Sequence, residues 1–371
     1  MVTSGKKGRF TDFTGVLKMI EVDGSIGGGQ VARLAVALSA LTSKEAHVFN
    51  IRKDRPKPGL KHQHLAGMEA LSDLCGGKLE NAKLGSDEIW FRPGRIKAGN
   101  LKVKIPTAGS IGLVLQSLML PCAFADGEVK IEISGGATCG EWSPQVDYVK
   151  LVLLPLLRKA GYDAEIEIVK RGYYPSGGAR VLSVIRPWKD KVPLNLEESG
   201  KVLEVRGVVH SSKQLEKAKV AERIEAEARK RLVGKVSSGV KISTEYVDAL
   251  SAGCGILLYA LCENSVIGVD ALGRIGKPAE EVGREAALGL VSALETKCGV
   301  DRHALDQLIP YLAVAGGGVT SGELTQHALS SIEVAEKFLP AKFEVYKMGT
   351  GDKAGAGSKE KGKAIIRAVR I

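Results

Sequence analysis

Two stretches of this 371-residue chain run through the same order of segments. MEALSDLCGGKLENAKLGSDEIWFRPG and VLLPLLRKAGYDAEIEIVKRGYYPSGGARVLSV each pass from an apolar helix through a glycine stop to paired strands closed by a Pro/Gly turn. One such unit cannot cover its own apolar face, so it must stack on copies of itself. A third copy is split between residues 278–312 and 329–371. Strand-like runs at 101–105, 128–134, 164–169, 179–185, 202–210, 342–348 and 364–371 alternate with helical patterns over the whole length. Several, such as AEIEIV and KFEVYKM, have period two, the mark of a sheet with one wet face. The expectation is an α/β (α+β) protein with helices covering sheets.

Between 186 and 277 the texture changes. A charged connector, PWKDKVPLNLEESGK, leads to a strand and then to KQLEKAKVAERIEAEARKRLV, a helix laced with alternating charge. An inserted module at 187–277 is expected there. Residues 1–18 are expected as a flexible basic extension, and GTGDKAGAGSKEKGK as a flexible loop. With 44% apolar and 26% charged residues the chain has material for a large core, which excludes disordered and collagen-like classes. Its six cysteines form no CxxC pair and sit among apolar neighbours, so they read as core filler in a reducing, cytoplasmic setting. No run reaches the roughly 18 apolar residues of a membrane span. The net charge of +11 favours a polyanionic partner, with nucleic acid or nucleotide phosphate first.

In DGSIGGGQVARLAVALSALT three glycines precede a helix with an apolar stripe at Val31, Leu34, Ala35, Leu38 and Leu41. Glycines let backbone N–H groups approach a phosphate, and a helix N-terminus adds partial positive charge. Neither the P-loop K-[ST] nor the GxGxxG spacing is present, and a plain strand-to-helix turn would read the same. Arg33 lies one turn in. The segment NIRKDRPKPGLKHQHL carries Arg52 and Arg55, then Gln63 and His64 in the first turn of a helix, a set able to clamp phosphate oxygens or an RNA end. A solvated basic loop is the alternative. His62 and His64 lack a third metal ligand nearby.

Gln116 interrupts a helix that is apolar on nearly every side, so its amide needs a partner, either backbone or ligand. In EWSPQVDY, Ser143 reads as an N-cap, Pro144 as the first helical residue, and Asp147 as a first-turn acid. His303, Asp306 and Gln307 share one helical face opposite Leu305, Leu308, Ile309 and Leu312, which suits a nucleobase or ribose pocket or a solvated face. His327 stands where another helix begins. A helix N-terminus depresses a histidine's pKa and keeps the imidazole neutral and nucleophilic, although capping is the commoner role.

Together these segments resemble the RNA 3′-terminal phosphate cyclase family, from MIEVDGS and GGGQ through IRKDRPKPGLKHQHL, TAGSIGLVLQ, SPQVDY and RGYYPSGG to HALDQLIPYLAVAGGG and QHALSSIEVAEKFLP. The resemblance implies three βαβαββ-type units over 19–186 and 278–371, and a small α/β (thioredoxin-like) insert at 187–277. It implies ATP as co-substrate, with His327 as the adenylylated residue and AMP and pyrophosphate as by-products. Gln116, His303, Ala304, Leu305, Asp306 and Gln307 match its ATP pocket. Gln30, Arg33, Arg52, Arg55, Gln63 and His64 match positions suited to ATP phosphates or the RNA 3′-phosphate end. A divalent metal, Mg or Mn, is implied as well, but the glutamate of the family's GEGGGQ has no counterpart between Asp23 and Gln30, so the ligands are unknown; Asp23, or phosphate oxygens and water alone, are the options. Monomer and homodimer are both compatible with the sequence. Two other readings stay open: a cyclase-like scaffold in ribosome assembly that lacks catalysis, and an enolpyruvyl transferase, whose fold shares such repeats.

Overall fold

The computed structural model describes residues 19–236, 238–348 and 363–370. The expected extension at 1–18 and nearly all of the glycine-rich loop before the last strand lie outside the described residues. In chain order the elements are β1 (Ile20–Asp23), α1 (Gly29–Thr42), β2 (Ala46–Phe49), α2 (His62–Cys75), β3 (Lys78–Glu80) and β4 (Ile89–Arg92). They continue with β5 (Gly99–Ser110), α3 (Ile111–Cys122), β6 (Val129–Ala137), α4 (Val146–Tyr148), α5 (Leu154–Arg158), β7 (Ala164–Lys170) and β8 (Arg180–Ile185). Next come β9 (Leu194–Leu196), β10 (Val202–Ser212), α6 (Val220–Leu232), β11 (Gly239–Val247), β12 (Cys254–Cys262), β13 (Val266–Leu272) and α7 (Ala279–Glu295). The last are α8 (Arg302–Ala315), β14 (Gly317–Ser321), α9 (Gln326–Phe338), β15 (Ala341–Met348) and β16 (Lys363–Arg370).

Three four-stranded sheets share one order, β1-β2-β4-β3, β5-β6-β8-β7 and β9-β14-β16-β15. In each, the first pair is parallel and the remaining pairs are antiparallel. A parallel pair needs a crossover, which α1, α3 and α8 supply. Alternation along the strands, as in β5 and β7, buries one face of each sheet. The helices pack on one another, α1 against α2, α3 and α9, and α8 against α9 and α3. Their apolar faces and those of the sheets form one core.

A fourth sheet, β11-β10-β12-β13, lies between β9 and α8 in the chain. Strand β12, CGILLYALC, is buried along nearly its whole length because both of its faces are covered. Ile256, Leu258 and Ala260 join a second core with α6 and α7, whereas Leu257 and Tyr259 face the main one. The sequence reading starts the third unit at 278, yet α7 packs on α6, β12 and β13, because Val282, Ala286 and Leu290 complete that second core. A backbone bridge between Glu198 and Cys298 closes the segment at its base.

Polar contacts fasten this sheet to the body. Arg171 at the end of the second sheet donates to both carboxylate oxygens of Asp147, at 2.6 and 2.8 Å, and to Glu245 of β11 at 2.6 Å. The helix expected to begin at Pro144 begins instead at Val146. Ser143 turns back to donate to Gly140 O, and Asp147 is taken up by the guanidinium rather than by the helix dipole. Beside this pair, His210 of β10 lies fully buried, with Nε2 against Gln145 Oε1 at 3.2 Å and Nδ1 against the Tyr173 hydroxyl at 3.0 Å. Burial, reinforced by Arg171 and opposed by Asp147, pushes its pKa down from 6.5 to about 3.

The folded ring is therefore neutral where the unfolded ring begins to charge. Its contribution to stability is complete above pH 6.5 and is lost as pH falls toward about 3, at up to about 1.4 kcal/mol per unit. Urea unfolding of wild type over that range is expected to weaken more steeply than that of His210→Gln. Parallel pH profiles for the two proteins would show that this ring does not carry the acid sensitivity.

Candidate active site

The glycine turn is where the elements meet. Gly28, at φ +68°, adopts a conformation that side chains rarely take and lets the chain enter α1 directly from a 3₁₀ turn at Gly24–Ile26. Its neighbours are pressed from two sides. A Cβ on Gly27 would fall 2.5 Å from Ser330 Oγ of α9, and one on Gly29 would fall 2.6 Å from His64 Nε2 of α2. The N-termini of α1, α2 and α9 thus converge on one place. Gln30 of α1 locks the join, donating to Ser331 Oγ at 2.6 Å and to His327 O at 3.3 Å.

Around this junction the charges are cationic. Arg33 is only 6% exposed; among the described residues its Nε has no partner and its one hydrogen bond, to Gln116 Oε1, is long at 3.4 Å. Burial and the neighbouring Arg52 pull its pKa down to about 10, which leaves it charged at neutral pH. Arg52, at φ +59°, donates to Lys57 O, and its buried Nε is also unpartnered. The side chains of Arg52 and Arg55 come to the open side of Gly28, within about 4 Å of where its Cβ would stand. Among the described residues no carboxylate forms an ion pair with Arg33, Arg52 or Arg55. One buried guanidinium, Arg33, with the half-buried Arg52 and the exposed Arg55, none with a counter-charge among the described residues, makes a place for an anion beside three helix N-termini.

His64 Nδ1 accepts from Lys61 N at 3.2 Å, so the neutral ring carries its proton on Nε2, against Gly29. Burial first, then Arg33, Arg52 and Lys61, hold its pKa well below the usual histidine range. Gln63 lies one residue earlier in α2, with its Oε1 near Gly109. Gln116 is half-buried in α3 and finds its partner in Arg33.

The remaining candidate residues lie on α8 and α9. In α8, Ala304 and Leu305 are core, His303 is exposed, and Gln307 is buried with Nε2 donating to His303 O and Oε1 unpartnered. Asp306 accepts a hydrogen bond from Thr325 Oγ1, the side chain that caps α9. Burial pushes the Asp306 carboxyl up to about 7 despite that bond. His327 is the second residue of α9 and is exposed. Desolvation, then Arg33, Arg55 and His303, lower its pKa, so the ring stays neutral further into acid than a free histidine. The structure therefore brings Gln30, Arg33, Arg52, Arg55, His64, Gln116 and His327 together.

The donor set for a metal is thin. No group of three or more His, Cys, Asp or Glu among the described residues could hold an ion. Asp23 has Oδ1 committed to Ser25 N at 2.9 Å and Asn50 Nδ2 at 3.2 Å, so it serves as a cap. Sequence reasoning passed over Thr325 and Asp301, the caps of α9 and α8; a Thr or Asp directly before an apolar-periodic run was the available signal.

Fold and site together define a mixed α/β protein whose helix N-termini converge with arginines that have no ion pair among the described residues, an arrangement that suits an anion. The family model for RNA 3′-terminal phosphate cyclase matches residues 25–345. A protein named RNA 3′-terminal phosphate cyclase from Thermococcus kodakarensis is 45% identical over 89% of this chain and 95% of its own length. One of that name from Pyrococcus furiosus is 43% identical over 90% and 97%, and one from Hyperthermus butylicus 44% over 87% and 92%. The chain belongs to the RNA 3′-terminal phosphate cyclase family.

An unpaired buried guanidinium opposes folding while it prepares a binding site. Arg33→Met is expected to raise the unfolding free energy in urea by about 1–3 kcal/mol. The same change should abolish the rise in melting temperature that inorganic pyrophosphate gives the wild type. A variant less stable than wild type would contradict this account of Arg33.

Proposed function

We propose that this protein is an ATP-dependent RNA 3′-phosphate cyclase working through a histidine-AMP intermediate. The carrying observation is His327: an exposed imidazole of lowered pKa at a helix N-terminus, tied by Gln30 to the glycine turn and facing unpaired arginines. A neutral ring nitrogen attacks the α-phosphorus of ATP. The bond to the oxygen bridging to the β-phosphorus breaks, and pyrophosphate leaves. An oxygen of the RNA 3′-phosphate then attacks the same phosphorus, breaking the P–N bond and freeing the histidine. Finally the vicinal 2′-hydroxyl loses its proton and attacks the 3′-phosphorus, so that AMP departs and a 2′,3′-cyclic phosphate remains.

Each residue group has a part in this reading. Arg33, Arg52 and Arg55, with Gln30, Gln63 and His64, hold the phosphates and the RNA end. Cations and helix N-termini there meet charge that develops on the departing pyrophosphate. Gln116 and the run His303, Ala304, Leu305, Asp306 and Gln307 hold the adenosine, for which the unpartnered Gln307 Oε1 and the half-buried Asp306 provide polar contacts. A divalent ion, Mg or Mn, would be carried chiefly by phosphate oxygens and water. In this reading the catalytic body expected at 19–186 and 278–371 gains β9 and cedes α7, and the fourth sheet with α6 and α7 is an inserted module.

Incubation with α-labelled ATP and a divalent ion is expected to label the protein, and His327→Ala to abolish the label. RNA ending in a 3′-phosphate should be cyclised, and RNA ending in a 3′-hydroxyl left unchanged. Label that persists without His327 would reassign the nucleophile. Because the ring's pKa is lowered, labelling should hold its rate to a pH below 6.5, the value for a free imidazole, before it declines.

A further inference from the structure

Asp301 stands where three parts of the molecule meet. Its Oδ1 accepts from His303 N at 2.9 Å and Ala304 N at 3.0 Å, capping α8, and from the Tyr148 hydroxyl at 2.6 Å. Its Oδ2 accepts from Gly268 N of β13 at 3.0 Å. The side chain is buried, so little water competes for these four bonds. Gly268 has no room for a side chain, since a Cβ there would lie 2.5 Å from Val152 and 3.1 Å from the Tyr148 ring. The Tyr148 ring in turn meets His303 edge-on, with centroids 6.3 Å apart. One carboxylate therefore receives a helix of the second sheet, a strand of the fourth sheet, and the start of the helix that presents His303, Asp306 and Gln307.

We propose that Asp301 is a positioning residue for ATP: by holding the first turn of α8 against Tyr148 and β13, it lets the seating of the fourth sheet set nucleotide affinity. The inference rests on the proposed role of the α8 run in holding adenosine. Asp301 itself has all its bonds turned to the protein and acts through His303 and its neighbours. Its loss would leave the buried Gly268 N–H and the first amides of α8 without an acceptor, so the helix start would shift. The phosphate and RNA-end residues lie on α1, α2 and the segment before α2, whereas the hydrogen bonds of Asp301 go to Tyr148, Gly268, His303 and Ala304.

The test compares the full-length wild type with Tyr148→Phe, Asp301→Asn and Gly268→Ala. ATP dependence is read from self-adenylylation, and RNA dependence from cyclisation of a 3′-phosphate end. Tyr148→Phe removes only a hydroxyl, Asp301→Asn replaces an acceptor facing Gly268 N–H, and Gly268→Ala forces β13 away from Tyr148. Each is expected to raise KM for ATP about five- to tenfold, with kcat and KM for RNA near wild type. A purely structural role would lower the folded fraction without this split. If Asp301→Asn or Gly268→Ala fails to fold, Tyr148→Phe decides alone. An unchanged KM for ATP in the variants that fold, beside a labelled wild type, overturns the positioning role only; a wild type that takes no label overturns both readings.

Discussion

The rest of the site depends on a cation the fold buries without neutralising. Among the described residues Arg33 has a single long hydrogen bond, an orphaned Nε and no acid paired with it. Such a group opposes folding, because desolvation is not offset by a counter-ion. The large core shared by the three like-ordered sheets outweighs that opposition. Burial and then the field of Arg33 act on the neighbouring imidazoles. His64 and His327 are both held toward their neutral forms, with Arg33 among the causes in each case. The site is thus poised for an anion, and the His327 ring is held toward its neutral form.

Helix ends set much of the geometry at the site, beside the glycine turn and the segment that carries Arg52 and Arg55. Gln30 bolts α1 to α9, the Asp306–Thr325 contact bolts α8 to α9, and Asp301 bolts α8 to α4 and β13. Helix N-terminal turns are rigid and their amides already need acceptors, so side chains that cap them also align the helices with one another. Small residues at 27 and 29 permit the approach, since any Cβ there would strike Ser330 or His64.

Much of this was legible in the sequence, for identifiable reasons. Period-two runs such as AEIEIV and KFEVYKM became β7 and β15 because one sheet face is buried and the other wet. The stripe from Val31 to Leu38 became the core face of α1. Pairings between distant residues left no local trace. Asp147 looked like a helix-terminal acid, yet Arg171, 24 positions away, claims it. Strand β9 is three residues long and shows itself only through its partner β14. Helix α7 carries an apolar face that periodicity reveals, but periodicity does not say which core receives it.

The bridge between Glu198 and Cys298 bears on the order in which the chain can assemble. In the first sheet, paired strands such as Ile20 and Ala46 are near in sequence, so their loop closes cheaply. In the third, Asn195 and Gly318 are 123 positions apart, and bringing them together from an unfolded chain costs more entropy. The intervening sheet removes that difference if it folds beforehand, because its completed ends stand side by side and shorten the effective loop. If the fourth sheet closes first, β9 and β14 meet across a short span rather than one of 123 residues.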